Sequence, residues 1–175
     1  MFWKIVLAFL VLLIGVLLQL EFKGPTVITS QKVLLSRPLN SVFDFVSNLE
    51  QIDQWYPILH NLKAIDPKSQ NHVGKLYREP GSNSFPFFGT GSVEVVACNP
   101  PNFFSFTVDS MFLPLYELSL EADSSMEHTD TMLTVKLLSR RQSYAFRYII
   151  CPVVQLYSTL QLQQSLFMLK MLFRE

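Results

Sequence analysis

The chain has 175 residues, with 14 Lys and Arg balanced by 14 Asp and Glu, and its composition is 49% hydrophobic and only 16% charged. This length suits one domain plus one appendage. With balanced charge and no Lys/Arg cluster apart from Arg140-Arg141, the sequence has no electrostatic footprint of nucleic-acid binding. Two cysteines, Cys98 and Cys151, are too few for a disulfide framework, so we expect buried thiols, with a pairing between the two as the alternative.

An apolar segment begins the chain. Residues 1–20 carry one charge, Lys4, and an uninterrupted apolar run over residues 5–18. Twenty helical residues span about 30 Å, the thickness of a bilayer core. A cleaved signal peptide is the alternative, but no small-x-small cleavage site follows the run. We therefore predict a single-pass transmembrane anchor over residues 1–22, with Trp3 and Phe22 near the two interfaces.

A linker over residues 23–26 joins this anchor to a domain over residues 27–175. Counted from Glu21, the connection reaches at most about 20 Å. Gly24 and Pro25 limit continuation of the helix, so we expect the domain to lie against the bilayer surface. Lys4 gives a slight lean towards a cytoplasmic N-terminus and a lumenal or external domain, and the side of the membrane stays open.

The first half of the domain combines β-branched segments with short helical ones. We predict, in order, a strand at residues 27–36, a short helix capped by Asn40 or Ser41, a second short helix at residues 49–55, and strands at residues 62–66 and 73–79. A loop over residues 80–88 follows and carries Phe85, Phe87 and Phe88.

Four segments in the second half alternate apolar and polar residues with a period of two. Their apolar positions are Val93, Val95 and Ala97; Phe104, Phe106 and Val108; Tyr116, Leu118 and Leu120; and Leu133, Val135 and Leu137. This pattern is typical of an antiparallel sheet with one dry face and one wet face. The short connections between the segments predict a meander, and the whole order of elements predicts the α+β class.

The last segment, residues 152–175, has helical spacing and two apolar stripes. Pro152 suits the first position of a helix, and 22 residues make a helix about 33 Å long. We predict that the sheet is covered by the stripe Val153, Leu156, Tyr157, Leu160, Phe167, Met168 and Met171. Gln164 lies in the middle of this stripe. The second stripe, on the opposite side, is Leu162, Leu166, Leu169 and Phe173.

Several residues along the domain match a known pattern of a strand, a proline, a Val-Phe helix and an aromatic-Pro pair. They are residues 36–46, Leu49-Glu50 and Trp55-Tyr56-Pro57, with Gly74, Gly91, Pro100-Pro101 and Leu169-Lys170 also fitting. Over residues 27–175 the chain resembles the START-like superfamily, also called SRPBCC, and within it the polyketide cyclase/dehydrase and coenzyme Q-binding branch. A final helix with so little charge on its outer side departs from that pattern.

The resemblance implies a helix-grip fold, in which a curved antiparallel sheet of about seven strands surrounds the long helix. Between them it implies an apolar cavity for a lipid, sterol, quinone or similar compound. The dry sheet face and the apolar helix independently favour such a pocket. We predict that it is lined by Trp55, Tyr56, Arg78, Phe104, Phe106, Tyr116, Leu118, Leu120, Leu160, Gln164 and Phe167.

Three of these lining residues have alternative roles. A buried amide at Gln164 needs a partner, which is either a ligand's hydroxyl or carbonyl or a neighbouring backbone or tyrosine group. Trp55 and Tyr56 either close one end of the cavity or belong to the core or its rim. We expect membrane contact through the second stripe (Leu162, Leu166, Leu169, Phe173) and through the phenylalanine loop (Phe85, Phe87, Phe88). For the loop, packing in the core is an equal alternative.

Metal and nucleophile chemistry have little support. The histidines, His60, His72 and His128, lie beside predicted turns, and no metal-ligand spacing or nucleophile motif is present. We expect no cofactor. General acid–base chemistry would need an ionisable side chain in the cavity, for which Arg78 is the candidate, although a surface position suits it better.

The sequence is compatible with three functions. The first is a membrane-tethered, non-catalytic carrier of a hydrophobic small molecule. The second is an interaction domain with a filled core, whose last helix binds another membrane protein or a second copy. The third is a cyclase or hydratase, which requires Arg78, His60 or Asp109 to face the cavity.

Overall fold

The computed structural model describes residues 2–19, 24–66, 73–78, 92–110, 112–123, 130–141, 143–144 and 146–174. The elements follow in this order: α1 (Phe2–Gln19), β1 (Thr26–Leu35), α2 (Leu39–Ser47), a 3-10 helix (Leu49–Gln54), β2 (Lys63–Ala64), β3 (Leu76–Arg78), β4 (Val93–Asn99), β5 (Phe103–Val108), β6 (Pro114–Asp123), β7 (Asp130–Ser139), a π-helical turn (Phe146–Ile150) and α3 (Cys151–Leu172). The α+β class is therefore confirmed.

The seven strands form one antiparallel sheet in the order β1-β7-β6-β5-β4-β3-β2. Strands β2 to β7 are sequential neighbours, which confirms the meander, and β1 joins the far edge beside β7. Register shifts between Val27 and Thr29 and between Val95 and Ala97 interrupt two of the ladders. Such bulges bend a strand and increase its twist, which helps the sheet curve around a helix.

The inner face of the sheet carries the core. Val93, Phe104, Leu118 and Leu133 are all buried there, as the period-two alternation predicts. On the outer face, Glu94 and Lys136 are exposed and Glu117 and Ser119 are half-buried, whereas Ser105 and Thr107 of β5 are buried, so the predicted wet face is not exposed along β5. Helix α2 adds its apolar side to the same core, through Val42, Phe43 and Val46.

Helix α3 covers the sheet with the face opposite to the one predicted. Leu162, Leu166 and Leu169 are buried against the domain, with exposed fractions of 4% or less. The stripe that we expected to pack on the sheet is exposed instead: Val153, Leu156, Tyr157, Leu160, Phe167, Met168 and Met171.

Small residues on the inner face of α3 explain this orientation. Ser158 and Ser165 are buried there, and the Thr159 hydroxyl donates to the Thr29 hydroxyl of β1 at 3.0 Å. Short side chains let the helix backbone approach the sheet closely, whereas Leu160 and Phe167 would hold it away. Because both faces of α3 are apolar, periodicity alone does not distinguish between them.

Short elements near the first half differ in detail from expectation. Helix α2 begins after Pro38 with no side-chain cap, so neither Asn40 nor Ser41 has the predicted capping role. Asn48 instead caps the 3-10 helix, where its side-chain oxygen accepts from the Glu50 backbone N–H at 3.2 Å. Strand β3 is only three residues long.

Helix α1 presents apolar side chains to its surroundings. Phe2 and Trp3 are about 80% exposed, and the apolar residues from Ile5 to Val16 that the structure describes are largely exposed as well. Within the described parts of the chain, no helix meets both the length and the apolar character needed to cross a membrane.

Candidate functional site

A cavity of about 40 Å³ lies between α3 and one end of the sheet. It is lined by Ile28, Tyr56, Ile58, Leu59, Val108, Ser110, Phe112, Pro114, Tyr116, Leu137, Val154, Ser158 and Gln161. A water molecule needs about 10–15 Å³ of such volume, so the cavity has room for about three waters. The walls are mainly apolar, and the polar groups come from tyrosine and serine hydroxyls and one amide.

A pair of buried tyrosines forms one wall of the cavity. Tyr56 follows the 3-10 helix, Tyr116 lies on the inner face of β6, and their hydroxyl oxygens are 3.0 Å apart, so that either can donate to the other. The two rings meet edge to face at 5.6 Å. Phe106 stacks on the Tyr116 ring at 4.8 Å with an interplanar angle of 12°. These contacts fix the positions of both hydroxyls.

The environment keeps both phenols protonated. Burial raises the pKa of Tyr116 to about 12, while the hydrogen bond from Tyr56 acts in the opposite direction. Burial also raises the pKa of Tyr56 well above its usual value, and Tyr116 and Tyr157 raise it further. At neutral pH the pair therefore offers hydroxyl donors and acceptors rather than an acid or a base.

Helix α3 supplies the opposite wall through Val154, Ser158 and Gln161, which are spaced on one side of the helix. Ser158 is buried, and Gln161 is half-buried. The Gln161 side-chain amide donates to the Tyr157 hydroxyl at 2.6 Å. Because Tyr157 is 45% exposed, this hydrogen bond connects the cavity wall to the outer face of the helix.

Trp55, next to this pair, has an unusual polar atom. Its side chain is 2% exposed, and its indole Nε1 has no hydrogen-bond acceptor among the described residues. The ring lies 5.7 Å from the Tyr56 ring, measured between centroids. A buried donor of this kind costs about 1–3 kcal/mol when it lacks a partner.

The predicted lining residues divide into three groups. Tyr56 and Tyr116 line the cavity. Five others are buried in the core but are not among the residues that line this cavity: Trp55, Phe104, Phe106, Leu118 and Leu120. The remaining four, Arg78, Leu160, Gln164 and Phe167, are exposed.

These exposed positions correct the prediction. Leu160, Gln164 and Phe167 lie on the outer face of α3, so Gln164 is not the buried amide that we expected. Arg78 points outward because Tyr77, 1% exposed, occupies the inward position of the short strand β3. The phase of that strand is thus the reverse of the one predicted.

The predicted membrane-contact residues that the structure describes also lie elsewhere than expected. Leu162, Leu166 and Leu169 are buried on the inner face of α3, so they face the sheet and not a bilayer. Phe173 is half-buried and packs edge to face on Phe45 of α2 at 5.2 Å. Phe85, Phe87 and Phe88 lie outside the described residues.

Most residues of the cavity wall were not predicted from the sequence. Ile28, Leu59, Phe112 and Pro114 come from strand ends and connections, where side-chain direction does not follow a simple period. Ser158 did carry a signal, because a polar residue four positions after Val154 and four before Leu162 shares their face of the helix. That face was the one we had assigned to the outside.

The described wall of the cavity contains no Asp, Glu, His, Lys or Arg, and its titratable side chains are Tyr56 and Tyr116. Arg78, His60 and Asp109, the candidates for acid–base chemistry, are all exposed. Over the residues that the structure describes, no group of three or more His, Cys, Asp and Glu could hold a metal ion. Cys98 and Cys151 are both free, Cys151 being buried and Cys98 half-buried.

Comparisons with known proteins identify the fold. No family model and no curated protein matches the chain. Among solved structures, a START superfamily protein from Mycobacterium smegmatis has a TM-score of 0.62 at 12% identity, over 86% of this chain and 98% of that one. A protein from Deinococcus radiodurans has a TM-score of 0.56 at 14% identity, over 83% of this chain and 95% of that one.

A third structure, CalU16 from Micromonospora echinospora, has a TM-score of 0.52 at 12% identity, over 86% of each chain. At such low identities these similarities define the fold alone. The domain has a START-like, helix-grip fold, as the sequence resemblance implied.

Proposed function

We propose that this chain is a membrane-attached protein that binds an apolar small molecule with a polar end group between α3 and the sheet, without transforming it. The supporting observation is the cavity beside Ser158, where polar groups from three elements meet inside an apolar wall: Tyr56, Tyr116 and Ser110, with Ser158 and Gln161. Ligand sites commonly combine a mainly apolar lining with a few such polar groups.

The cavity reaches the inner face of α3 at Ser158. A larger apolar side chain at Ser158 would fill the cavity. A serine at that position instead leaves a space and adds a hydroxyl, which suits a site for a ligand's hydroxyl or carbonyl.

The size of the cavity constrains how a ligand is bound. Pockets for drug-sized ligands measure about 300–1,000 Å³, far more than the space found here. A quinone or lipid therefore requires the N-terminal half of α3 to separate from the sheet. The hydrogen bond between Thr159 and Thr29 is the polar contact that this movement breaks. In this proposal the structure shows α3 closed on the sheet.

Membrane attachment is assigned to α1. Its exposed apolar side chains, including Phe2, Trp3 and Leu12, have no favourable place in water, and Lys4 is its only charge. We propose that α1, together with the apolar sequence that continues to Leu20, forms the single-pass anchor. Extraction of membranes with alkaline carbonate tests this, because an inserted anchor stays with the lipid and a peripheral helix is released.

Absence of catalysis is part of the proposal. The described cavity wall offers neutral hydroxyls and an amide, and the raised pKa values of Tyr56 and Tyr116 keep these groups protonated. Proton transfer at neutral pH needs a group that titrates near that pH. A substrate consumed by the purified full chain would contradict this part of the proposal.

Ligand binding is tested with a variant whose side chain fills the cavity. Full-length protein in lipid nanodiscs, carrying Trp3→Phe so that Trp55 is the sole tryptophan, is titrated with decyl-quinone while the Trp55 emission is recorded. Ser158→Phe places a ring in the cavity, and Gln155→Phe adds the same ring at an exposed position of the same helix. We expect saturable quenching with Gln155→Phe and only the linear background of membrane-dissolved quinone with Ser158→Phe.

Equal saturable quenching in both variants would place the ligand elsewhere. If no member of a panel of quinone, sterol and fatty-acid probes saturates, the binding proposal is rejected. The second candidate function, an interaction domain with a filled core, would then be preferred. The small volume of the cavity, about 40 Å³, is the observation that favours that candidate.

A further inference from the structure

The outer face of α3 carries a stripe of exposed apolar residues beside the exposed polar residues Gln155, Gln163, Gln164 and Lys170. We call the outer stripe the residues Val153, Leu156, Tyr157, Leu160, Phe167, Met168 and Met171, which are between 39% and 70% exposed. From Val153 to Met171 the stripe is about 27 Å long at 1.5 Å per residue. The buried face, in contrast, includes Ser158 and Ser165.

The stripe continues beyond the helix. In the π-helical turn that precedes α3, Tyr148 is 66% exposed and Ile149 is 69% exposed. Tyr148 is stacked on Tyr144, with ring centroids 6.0 Å apart. Gln164 interrupts the stripe. An exposed apolar surface of this length is still unusual for a helix that faces only water, and it indicates a binding surface.

Most charged residues of the C-terminal segment are basic. Residues 140–175 contain five of the chain's 14 Lys and Arg but only one of its 14 Asp and Glu, Glu175. The neutral total charge thus conceals a basic C-terminal segment and an acidic remainder. Arg147 lies near one end of the stripe, and Lys170 and Arg174 lie near the other, all three exposed.

This charge pattern distinguishes between the possible occupants of the stripe. A second copy packed antiparallel would place Arg147 of one chain near Lys170 and Arg174 of the other, and a parallel copy would place like residues side by side. Both arrangements are repulsive. An apolar stripe with basic ends and no described acidic residue on its helix instead fits a lipid surface that carries negative headgroups.

We propose that the outer stripe of α3 lies in the headgroup region of an anionic membrane, with its apolar side chains in the acyl boundary and Arg147, Lys170 and Arg174 at lipid phosphates. The stripe has this role whether or not the cavity binds a ligand. If it does, Tyr157 belongs to the stripe and is hydrogen-bonded to the cavity-lining Gln161, so docking would bring the cavity next to the lipid.

The experiment uses the full chain in vesicles, so that α1 is present in every sample. A nitroxide is attached at Leu160→Cys on the stripe or, as the matched control, at Glu94→Cys on the outer face of the sheet, in a Cys98→Ser, Cys151→Ala background. Power saturation then measures the access of oxygen, which partitions into lipid, and of a nickel chelate, which stays in water.

With phosphatidylcholine vesicles containing 30% phosphatidylserine, we expect the label at position 160 to be accessible to oxygen and shielded from nickel. The label at position 94 should remain accessible to nickel. Each cation near an anionic surface contributes about fivefold to the docked-to-undocked ratio. The double variant Lys170→Gln, Arg174→Gln should therefore lower this ratio about 25-fold. Vesicles of pure phosphatidylcholine should also lower the ratio for the unsubstituted cations.

Two results would overturn the proposal. One is a label at position 160 that stays accessible to nickel on anionic vesicles, in a protein whose circular dichroism shows the native fold. The other is shielding that rises with the protein-to-lipid ratio and ignores phosphatidylserine, which would identify a second copy as the occupant. Neither result bears on quinone quenching of Trp55, so the two proposals fail separately.

Discussion

The orientation of α3 makes a sharp prediction for two leucines on the same helix. Leu169 is completely buried and Leu160 is 59% exposed. Leu→Ala in a core removes the transfer free energy of the side chain and leaves a cavity, at a cost of about 3–5 kcal/mol when the site is fully enclosed. The same change at an exposed position costs about 0.5 kcal/mol or less.

Because both substitutions replace leucine with alanine in the interior of one helix, their difference in helix propensity cancels. For a domain of this size, 1 kcal/mol corresponds to a shift of about 2–4 °C in Tm. Leu169→Ala should therefore lower Tm by roughly 6–20 °C, while Leu160→Ala should change it by about 2 °C at most.

The assay is thermal and urea unfolding of the full chain in detergent micelles, followed by circular dichroism, with the urea midpoint converted to a free energy of unfolding. Equal losses of stability for the two variants would refute the reasoning, and a larger loss for Leu160→Ala would restore the orientation that the sequence pattern first suggested.

Further variants test the cavity, a turn and the end of α3. Since the pKa of Tyr116 is raised to about 12 in the folded state from about 10 in the unfolded state, its contribution to stability is complete below pH 10 and lost as pH rises towards 12. Wild type should lose roughly 1 kcal/mol more than Tyr116→Phe between pH 9 and 11, and Tyr148→Phe, at an exposed ring, should behave as wild type. Gly74→Ala should cost about 1–2 kcal/mol because φ is +87° and not because of a clash, so Gly74→Asn should cost less. Phe173→Ala should cost about 1 kcal/mol through its contact with Phe45, whereas Phe167→Ala, 65% exposed, should leave urea stability unchanged.

The sheet could be predicted from the sequence because its two faces have different surroundings. On β6, buried Leu118 alternates with half-buried Glu117 and Ser119, so this contrast reports on burial. On β5 the contrast fails, because Ser105 and Thr107 are buried as well as Phe104. Strand β3 gives no such contrast. It has three residues, two of them apolar or amphipathic, so Leu76 and Arg78 were assigned to the wrong face.

The cavity could be predicted only in outline. A resemblance in the order of elements implied a space between helix and sheet, and Tyr56 and Tyr116 were correctly placed beside it. Its other walls, such as Leu59 and Phe112, lie in connections whose side-chain directions depend on tertiary packing. Its small volume depends on how closely α3 approaches the sheet, which residue types alone do not determine.

The orientation of α3 was predicted wrongly because we assumed that the outer side of the helix faces water. Assigning the more apolar stripe to the core is sound when the other side of the helix faces water. If the other side faces lipid, both sides are apolar, and the inner face is better identified by small residues that permit close approach, here Ser158 and Ser165. The larger apolar residues, such as Leu160 and Phe167, then lie on the outer face of the helix. An exposed apolar stripe on α3 is therefore what the membrane-docking proposal expects, and the nitroxide at position 160 tests that expectation directly.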